Sequence, residues 1–155
     1  MPATPDFDLA AAHQYFSTDC YNRAWGFIDK STRTPPDEQE MLLLAMASLW
    51  HWTQREDCTP TNLSIGYWQL SRVYAVLGQA DNARRYARYC LDCSRNGGVA
   101  PFFLGYAFEA MARAEAIAQN SVEMQKYLEE AQRQAARVTD EADRDQLLGD
   151  LDTVR

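Results

Sequence analysis

A chain of 155 residues is long enough to bury a hydrophobic core without metal or disulfide support, so we predict one domain spanning residues 1–155. Apolar residues make up 46% of it and charged residues 24%, and its many Ala, Leu, Gln, Arg and Glu residues predict an all-α fold. The net charge of -7 opposes binding to nucleic-acid phosphate and to anionic membranes, so we expect neither as a partner.

The sequence favours a cytoplasmic protein. No apolar run approaches the roughly 20 residues that span a bilayer, and residues 1–8 lack the basic start and apolar centre of a signal peptide. The four cysteines should therefore stay reduced. Cys90 and Cys93 have C-x2-C spacing, but no second such pair accompanies them, so we expect packing roles and no cofactor.

In chain order, hydrophobic periodicity first predicts two long helices. The first covers Asp8–Lys30, either unbroken or as two helices that meet near Ser17. The second begins behind a threonine cap and runs from about Pro35 to Arg55. Because it is apolar on nearly all sides, we expect it to be the central, most buried helix, with Trp50 and Trp52 in the core.

A helical hairpin is predicted at Tyr67–Cys93, after a loop at Glu56–Thr61. Gly78 supplies the left-handed turn of this hairpin, and Asp81 can cap its second helix. The residues spaced to form its buried stripe are Leu63, Tyr67, Leu70, Tyr74, Leu77, Ala83, Tyr86, Ala87, Cys90 and Leu91.

Three further helices complete the predicted chain. The fifth begins at Pro101 and continues to about Ala118. The sixth follows a cap at Asn120, with Glu123 in the position of a capping box. The acidic seventh, from Asp140 to about Thr153, presents three leucines to the body and is expected to act as a terminal cap.

A 34-residue internal repeat is visible when the chain is aligned with itself. The alignment pairs Tyr67 with Pro101, Leu70 with Leu104, Ser71 with Gly105, Tyr74 with Phe108 and Leu77 with Met111. A helical hairpin with this period, with W-x2-L-G-x2-Y in its first helix and A-x3-F in its second, is the signature of the tetratricopeptide repeat. Tyr67, Leu70, Ser71, Tyr74 and Ala83 occupy its motif positions, so the chain resembles that TPR-like superfamily.

The resemblance implies a right-handed superhelix of about three hairpins with a C-terminal capping helix. It also implies a concave surface on the first helices of the hairpins, whose exposed positions here are Trp68, Arg72, Val76, Phe102, Tyr106 and Glu109. We expect a non-enzymatic adaptor whose groove binds a protein or peptide through Trp68, Arg72, Phe102, Tyr106 and Glu109. In the alternative interpretation the aromatics only pack, and Arg72 pairs with Glu109.

A different function is possible around Trp50-His51-Trp52, where His51 and Trp52 are secondary candidates. An aromatic pocket near His51, Trp52, Tyr67 and Arg72 would indicate a small-molecule-binding protein or a minor enzyme. The chain contains no familiar catalytic or phosphate-binding string. A third possibility is a homo-oligomer formed by apolar faces of terminal hairpins.

A basic face is predicted on the second helix of the hairpin, formed by Arg84, Arg85 and Arg88. We interpret it as a solvated surface or a docking site for an acidic partner.

Overall fold

The computed structural model describes residues 4–155, and within them it consists of seven helices without a strand, which confirms the all-α prediction. Residues 1–3 lie outside the described residues. They include the predicted first residue of the domain and part of the segment, residues 1–8, that is predicted not to be a signal peptide. The helices are α1 (Leu9–Ile28), α2 (Pro35–Thr53), α3 (Pro60–Val76), α4 (Ala80–Asn96), α5 (Pro101–Ile117), α6 (Ser121–Ala135) and α7 (Glu141–Leu151).

The chain forms two compact units. The first unit ends at Cys58, and the second runs from Thr59 to Arg155. The first therefore contains α1 and α2, and the second contains the other five helices. None of the described helices has both the length and the apolar character needed to cross a membrane.

In the first unit, α1 and α2 pack as an antiparallel pair. Asp8 caps α1, which continues through Ser17 as a single helix. Thr34 is the predicted cap of α2, and it forms a capping box with Asp37. The seam between the two helices is narrow and partly polar, because Ser48 Oγ donates to the carbonyl oxygen of Ser17 at 2.7 Å, with both residues buried.

Helix α2 is not the most buried helix, contrary to the sequence-based expectation. Met41, Leu44 and Leu49 are buried, but Leu43 and Trp50 are more than half exposed, at 54% and 55%. A helix with bulky apolar side chains on every side can bury only the sides that its neighbours cover. Trp50 is therefore not a core residue, while Trp52 is half-buried.

Helix α5 is the central helix of the second unit, where it contacts α3, α4, α6 and α7. Every residue from Gly105 to Ala112 is buried. This stretch contains one glycine and three alanines, and such small side chains allow neighbouring helices to approach closely on several sides. A side-chain Cβ at Gly105 would lie 2.5 Å from Cδ2 of the buried Leu147, so this glycine makes room for α7.

The hairpins α3–α4 and α5–α6 repeat at 41 residues, not at the 34 of the sequence alignment. Helices α3 and α5 begin at Pro60 and Pro101, and α4 and α6 begin 41 residues apart as well. The turns within the two hairpins follow the same register, because Gly78 and Gln119, also 41 residues apart, both have positive φ, at 71° and 58°. The 34-residue alignment is shifted by seven residues, which is close to two turns of helix and therefore preserves each buried face.

Two boundaries differ from the prediction for local reasons. Pro60 is the first residue of α3 and not part of the preceding loop, because Thr59 and Asn62 form a capping box there. Helix α4 starts behind Gln79, which makes no side-chain cap, and Asp81 lies in the first turn. The cap at Asn120 is confirmed, since its side chain accepts from the backbone of Glu123.

Candidate functional site

Two of the predicted groove residues, Trp68 and Arg72 of α3, meet at the carboxylate of a third, Glu109 of α5. Trp68 Nε1 donates to Glu109 Oε2 at 2.8 Å, and Arg72 Nη1 lies 3.4 Å from Oε1. Arg113 Nε donates to the same Oε1 at 2.6 Å. We call Trp68, Arg72, Glu109 and Arg113 the Glu109 cluster. Because its one carboxylate receives two cationic donors, the cluster carries a net positive charge.

Helical spacing explains how these side chains come together. Trp68 and Arg72 are four residues apart on α3, and Glu109 and Arg113 are four residues apart on α5, so each pair lies on one face of its helix. The two helices are in contact. The polar faces therefore meet at the line where α3 packs against α5.

Aromatic rings continue the site along α5. The ring of Tyr106 lies edge-on to Trp68 at 5.3 Å and to Phe102 at 5.1 Å between centroids. Its hydroxyl donates to Asp150 Oδ2 at 2.6 Å, near the end of α7. Burial and this carboxylate raise the pKa of Tyr106, so its hydroxyl stays protonated and remains a donor.

Two of the five predicted groove residues are not exposed, contrary to expectation. Glu109 is 1% exposed and Tyr106 is 8% exposed. Glu109 lies beneath its three donors, and Tyr106 is held by Asp150 of α7. The Arg72–Glu109 pair of the alternative interpretation is present, and the solvent-facing part of the predicted groove consists of Trp68, Arg72 and Phe102, each partly exposed.

Arg72 is the least satisfied cation of the Glu109 cluster. Its contact with Glu109 Oε1, at 3.4 Å, is long for a charge-assisted hydrogen bond. Its Nε is buried and has no hydrogen-bond partner among the described residues. Burial and the nearby Arg113 lower the pKa of Arg72. The space among these side chains is too small for a water molecule, so a second anion would have to approach from outside.

Neither models of known protein families, nor curated proteins, nor solved structures give a match to this chain.

The first unit brings together the only two histidines of the chain. His13 Nδ1 and His51 Nδ1 are 2.8 Å apart, across the seam between α1 and α2. At this distance one ring nitrogen donates and the other accepts. The rings of Phe16 and Trp50 lie 5.4 and 4.9 Å from the ring of His51. His51 therefore sits between a second histidine and two exposed aromatics.

An open groove of about 590 Å³ lies next to His13, and we call it the His13 groove. The residues that line it are Leu9, Ala10, His13, Gln14, Gln54, Arg55, Glu56 and Asp57. Arg55 is already engaged, since it pairs with Asp57 and donates to Ser17 Oγ at 2.9 Å. Its guanidinium also stacks over the ring of Trp52 at 3.8 Å.

The alternative site near His51, Trp52, Tyr67 and Arg72 divides between the two units. His51 and Trp52 belong to the first unit, and Tyr67 and Arg72 belong to the second. In the first unit it is His13, not His51, that borders the open groove. A small-molecule site around these residues stays a prediction.

The predicted basic face on α4 is only partly available for binding. Arg84 forms a bidentate ion pair with the buried Glu115 and also pairs with Asp81. Arg88 donates to the hydroxyl of Tyr127 at 3.2 Å. Arg85 is exposed. These contacts favour a role in joining α4 to α5 and α6 over a docking site.

The cysteines are all free thiols. Cys90 is fully buried, and its Sγ donates to the carbonyl oxygen of Ser64 at 3.3 Å. Burial raises the pKa of this thiol to about 12, which makes it unreactive at neutral pH. Among residues 4–155, no three His, Cys, Asp or Glu side chains are grouped so that they could hold a metal ion.

Sequence reasoning missed Arg113 and the partner of His51. The spacing from Glu109 to Arg113 is a one-turn carboxylate–arginine pair and could have indicated the contact. No such local signal existed for His13 and His51, which are 38 residues apart. Their contact depends on the register in which α1 packs against α2.

Proposed function

We propose that the chain is a non-enzymatic, TPR-like interaction module whose α3–α5 face binds an acidic segment of a partner protein or peptide. The observation that carries this proposal is the state of Arg72. A partly exposed guanidinium in a net positive cluster, with one long ion pair to Glu109, is suited to receive a second carboxylate.

The surroundings of Arg72 supply the rest of a peptide site. Trp68 lies one turn from Arg72 on α3, and Phe102 lies on α5 beyond Tyr106, whose ring contacts both. The rings of Trp68 and Phe102 are partly exposed and offer apolar area along the same face. Arg72 and Trp68 are both anchored by the buried Glu109, so their positions are set before a partner arrives. An extended segment with an aspartate or glutamate between apolar residues fits this arrangement.

The helix packing supports the TPR-like part of the proposal. The second unit consists of two consecutive helical hairpins, with α5 packed against both helices of the preceding hairpin, and α7 covers the last hairpin. Stacked hairpins with a polar terminal helix are the plan of helical-repeat proteins. The 41-residue period is longer than that of a standard tetratricopeptide repeat, so the likeness is one of plan and not of repeat length.

A charge-graded peptide library tests the proposal, with binding to wild type, Arg72→Gln and Arg85→Gln measured in parallel. Arg85 is the matched control, because it is an exposed arginine on α4 outside the Glu109 cluster. We expect acidic peptides to bind wild type and the Arg85 variant equally, and to bind the Arg72 variant at least tenfold more weakly. Phe102→Ala should also weaken binding.

Circular dichroism establishes that each variant is folded before binding is compared. Tyr106 is not a suitable position for substitution, since it is buried and its loss would disturb the packing of α7. If the three proteins select the same peptides with the same affinities, the α3–α5 face is not the binding site.

A further inference from the structure

An exposed apolar stripe runs along α2 in the first unit. It consists of Leu43, Met46, Ala47 and Trp50, which have the i, i+3, i+4, i+7 spacing of one helix face, and we call it the α2 stripe. Leu43 and Trp50 are more than half exposed, and Met46 is 36% exposed. From residue 41 to residue 54 the sequence contains no Asp, Glu, Lys or Arg. The stripe therefore offers a charged partner nothing to pair with.

The apolar surface continues from α2 onto α1. The exposed ring of Phe16 lies against His51, whose ring also contacts Trp50, and the exposed Tyr15 lies against Phe16 at 5.1 Å. Together with Leu43 and Met46, these aromatics expose roughly 500 Å² of side-chain surface. This area lies at the upper end of the range for the largest exposed apolar patch on a monomeric protein.

The order of side chains along the α2 stripe is self-complementary. A two-fold axis between Met46 and Ala47 would set Leu43 against Trp50 of a second copy at both ends of an antiparallel helix pair. At the centre, each long Met46 would lie opposite a small Ala47, which gives it space. Two copies would bury roughly 1,000 Å² in total, the lower limit for a specific interface.

We propose that the α2 stripe is the interface of an antiparallel homodimer, in which α2 of one chain packs on α2 of a second copy. The face uses no residue of the Glu109 cluster, so dimerisation and peptide binding are separate properties. Interfaces of this size belong mainly to weak or transient complexes, so we expect a dissociation constant in the micromolar range.

Sedimentation velocity of the full chain, from about 1 to 200 μM, tests the proposal. We expect wild type to pass from monomer to dimer across this range, and Met46→Glu to remain monomeric, since two carboxylates would meet near the axis. Ile117→Glu is the control, because Ile117 of α5 is 38% exposed and lies outside the patch. It should dimerise as wild type does.

The antiparallel register has its own test. Leu43→Lys and Trp50→Glu should each be monomeric alone, because a homodimer of either variant would carry the introduced charge at both ends of the apolar interface. Mixing the two variants should restore a dimer, since one Lys then faces one Glu while the other end keeps the native Leu43 and Trp50 contact. A monomeric wild type at 200 μM, an equal loss in the Met46 and Ile117 variants, or no recovery on mixing would overturn the proposal.

Discussion

Helices α2 and α5 are both long and apolar, yet they differ in what surrounds them. In α5 an unbroken run from Gly105 to Ala112 is buried, whereas α2 leaves Leu43, Met46 and Trp50 at the surface. The difference follows from side-chain size, since the alanines and the glycine of α5 admit four neighbouring helices and the large residues of α2 do not. In this chain the central helix is distinguished by small residues on several of its sides.

The two helices also differ in the polar groups they bury. In α5, Glu109 is a buried charge with three donors. In α2, Ser48 is a buried neutral group with a single bond to Ser17. Removing either should therefore destabilise the protein, but by different amounts and in different units.

The largest effect is expected from Glu109→Gln. The substitution keeps the side-chain size but leaves Arg72 and Arg113 without their anion, and the loss of one partner from a buried charge pair should lower the free energy of unfolding by about 3 kcal/mol. Ser48→Ala should cost about 1 kcal/mol. Urea unfolding gives the magnitudes, and hydrogen exchange by mass spectrometry shows which unit opens. Equal losses would mean that the Glu109 cluster does not hold the second unit together.

The two units should also respond in opposite directions when a glycine is replaced by alanine. A Cβ at Gly97 of the second unit would lie 2.2 Å from Cβ of Pro60, a rigid ring, and we expect Gly97→Ala to destabilise by about 2 kcal/mol. Gly26, in the last turn of α1, has nothing within 4 Å of such a Cβ. Gly26→Ala should therefore stabilise by about 0.5 to 1 kcal/mol.

Thermal unfolding of both glycine variants checks this pair of predictions. A Gly97 variant as stable as wild type would show that the α3 start and the α4 end can separate at little cost. A destabilised Gly26 variant would indicate that another group packs against α1 at Gly26, where the structure shows open space.

Local features of the fold could be predicted from the sequence because they depend on residues a few positions apart. The caps at Thr34 and Asn120 and the left-handed Gly78 are examples, each set by residues within one helical turn. The 34-residue repeat was wrong for a related reason. Apolar periodicity defines a helix face, and a shift of seven residues leaves that face unchanged, so the pattern alone could not distinguish 34 from 41.

Burial at the candidate site could not be predicted in the same way. Tyr106 is covered because its hydroxyl bonds Asp150, 44 residues further along the chain, and Glu109 is covered by residues from two helices. A repeat motif assigns positions within one hairpin and contains no information on a later helix. The charge of Arg72 followed from its residue type, and its pairing with Glu109 was one of two interpretations of the sequence. Its unsatisfied Nε depends on the packed structure.

The smallest effect is expected from pH, and it should be confined to the first unit. The bond between His13 and His51 requires one Nδ1 without a proton. Burial, and then the charge of His13, lower the pKa of His51 below its ordinary value of 6.5. Between that lowered pKa and 6.5, the folded form therefore binds fewer protons than the unfolded form. Stability is complete above about pH 6.5 and falls as the pH drops from there to the folded pKa.

We expect the amides of α1 and α2 to exchange faster at pH 5.5 than at pH 7.5, after correction for intrinsic rates, while those of α5 keep their protection. His13→Asn is the matched variant, because its amide can still bond His51 but never carries a charge, and it should reduce the pH effect. Equal pH dependence in wild type and in this variant would mean that the histidine pair does not cause the pH dependence of the first unit's stability. A uniform loss of exchange protection across α1, α2 and α5 would mean that both units open together. Helices α2 and α5 would then differ in their packing but would not belong to units of independent stability.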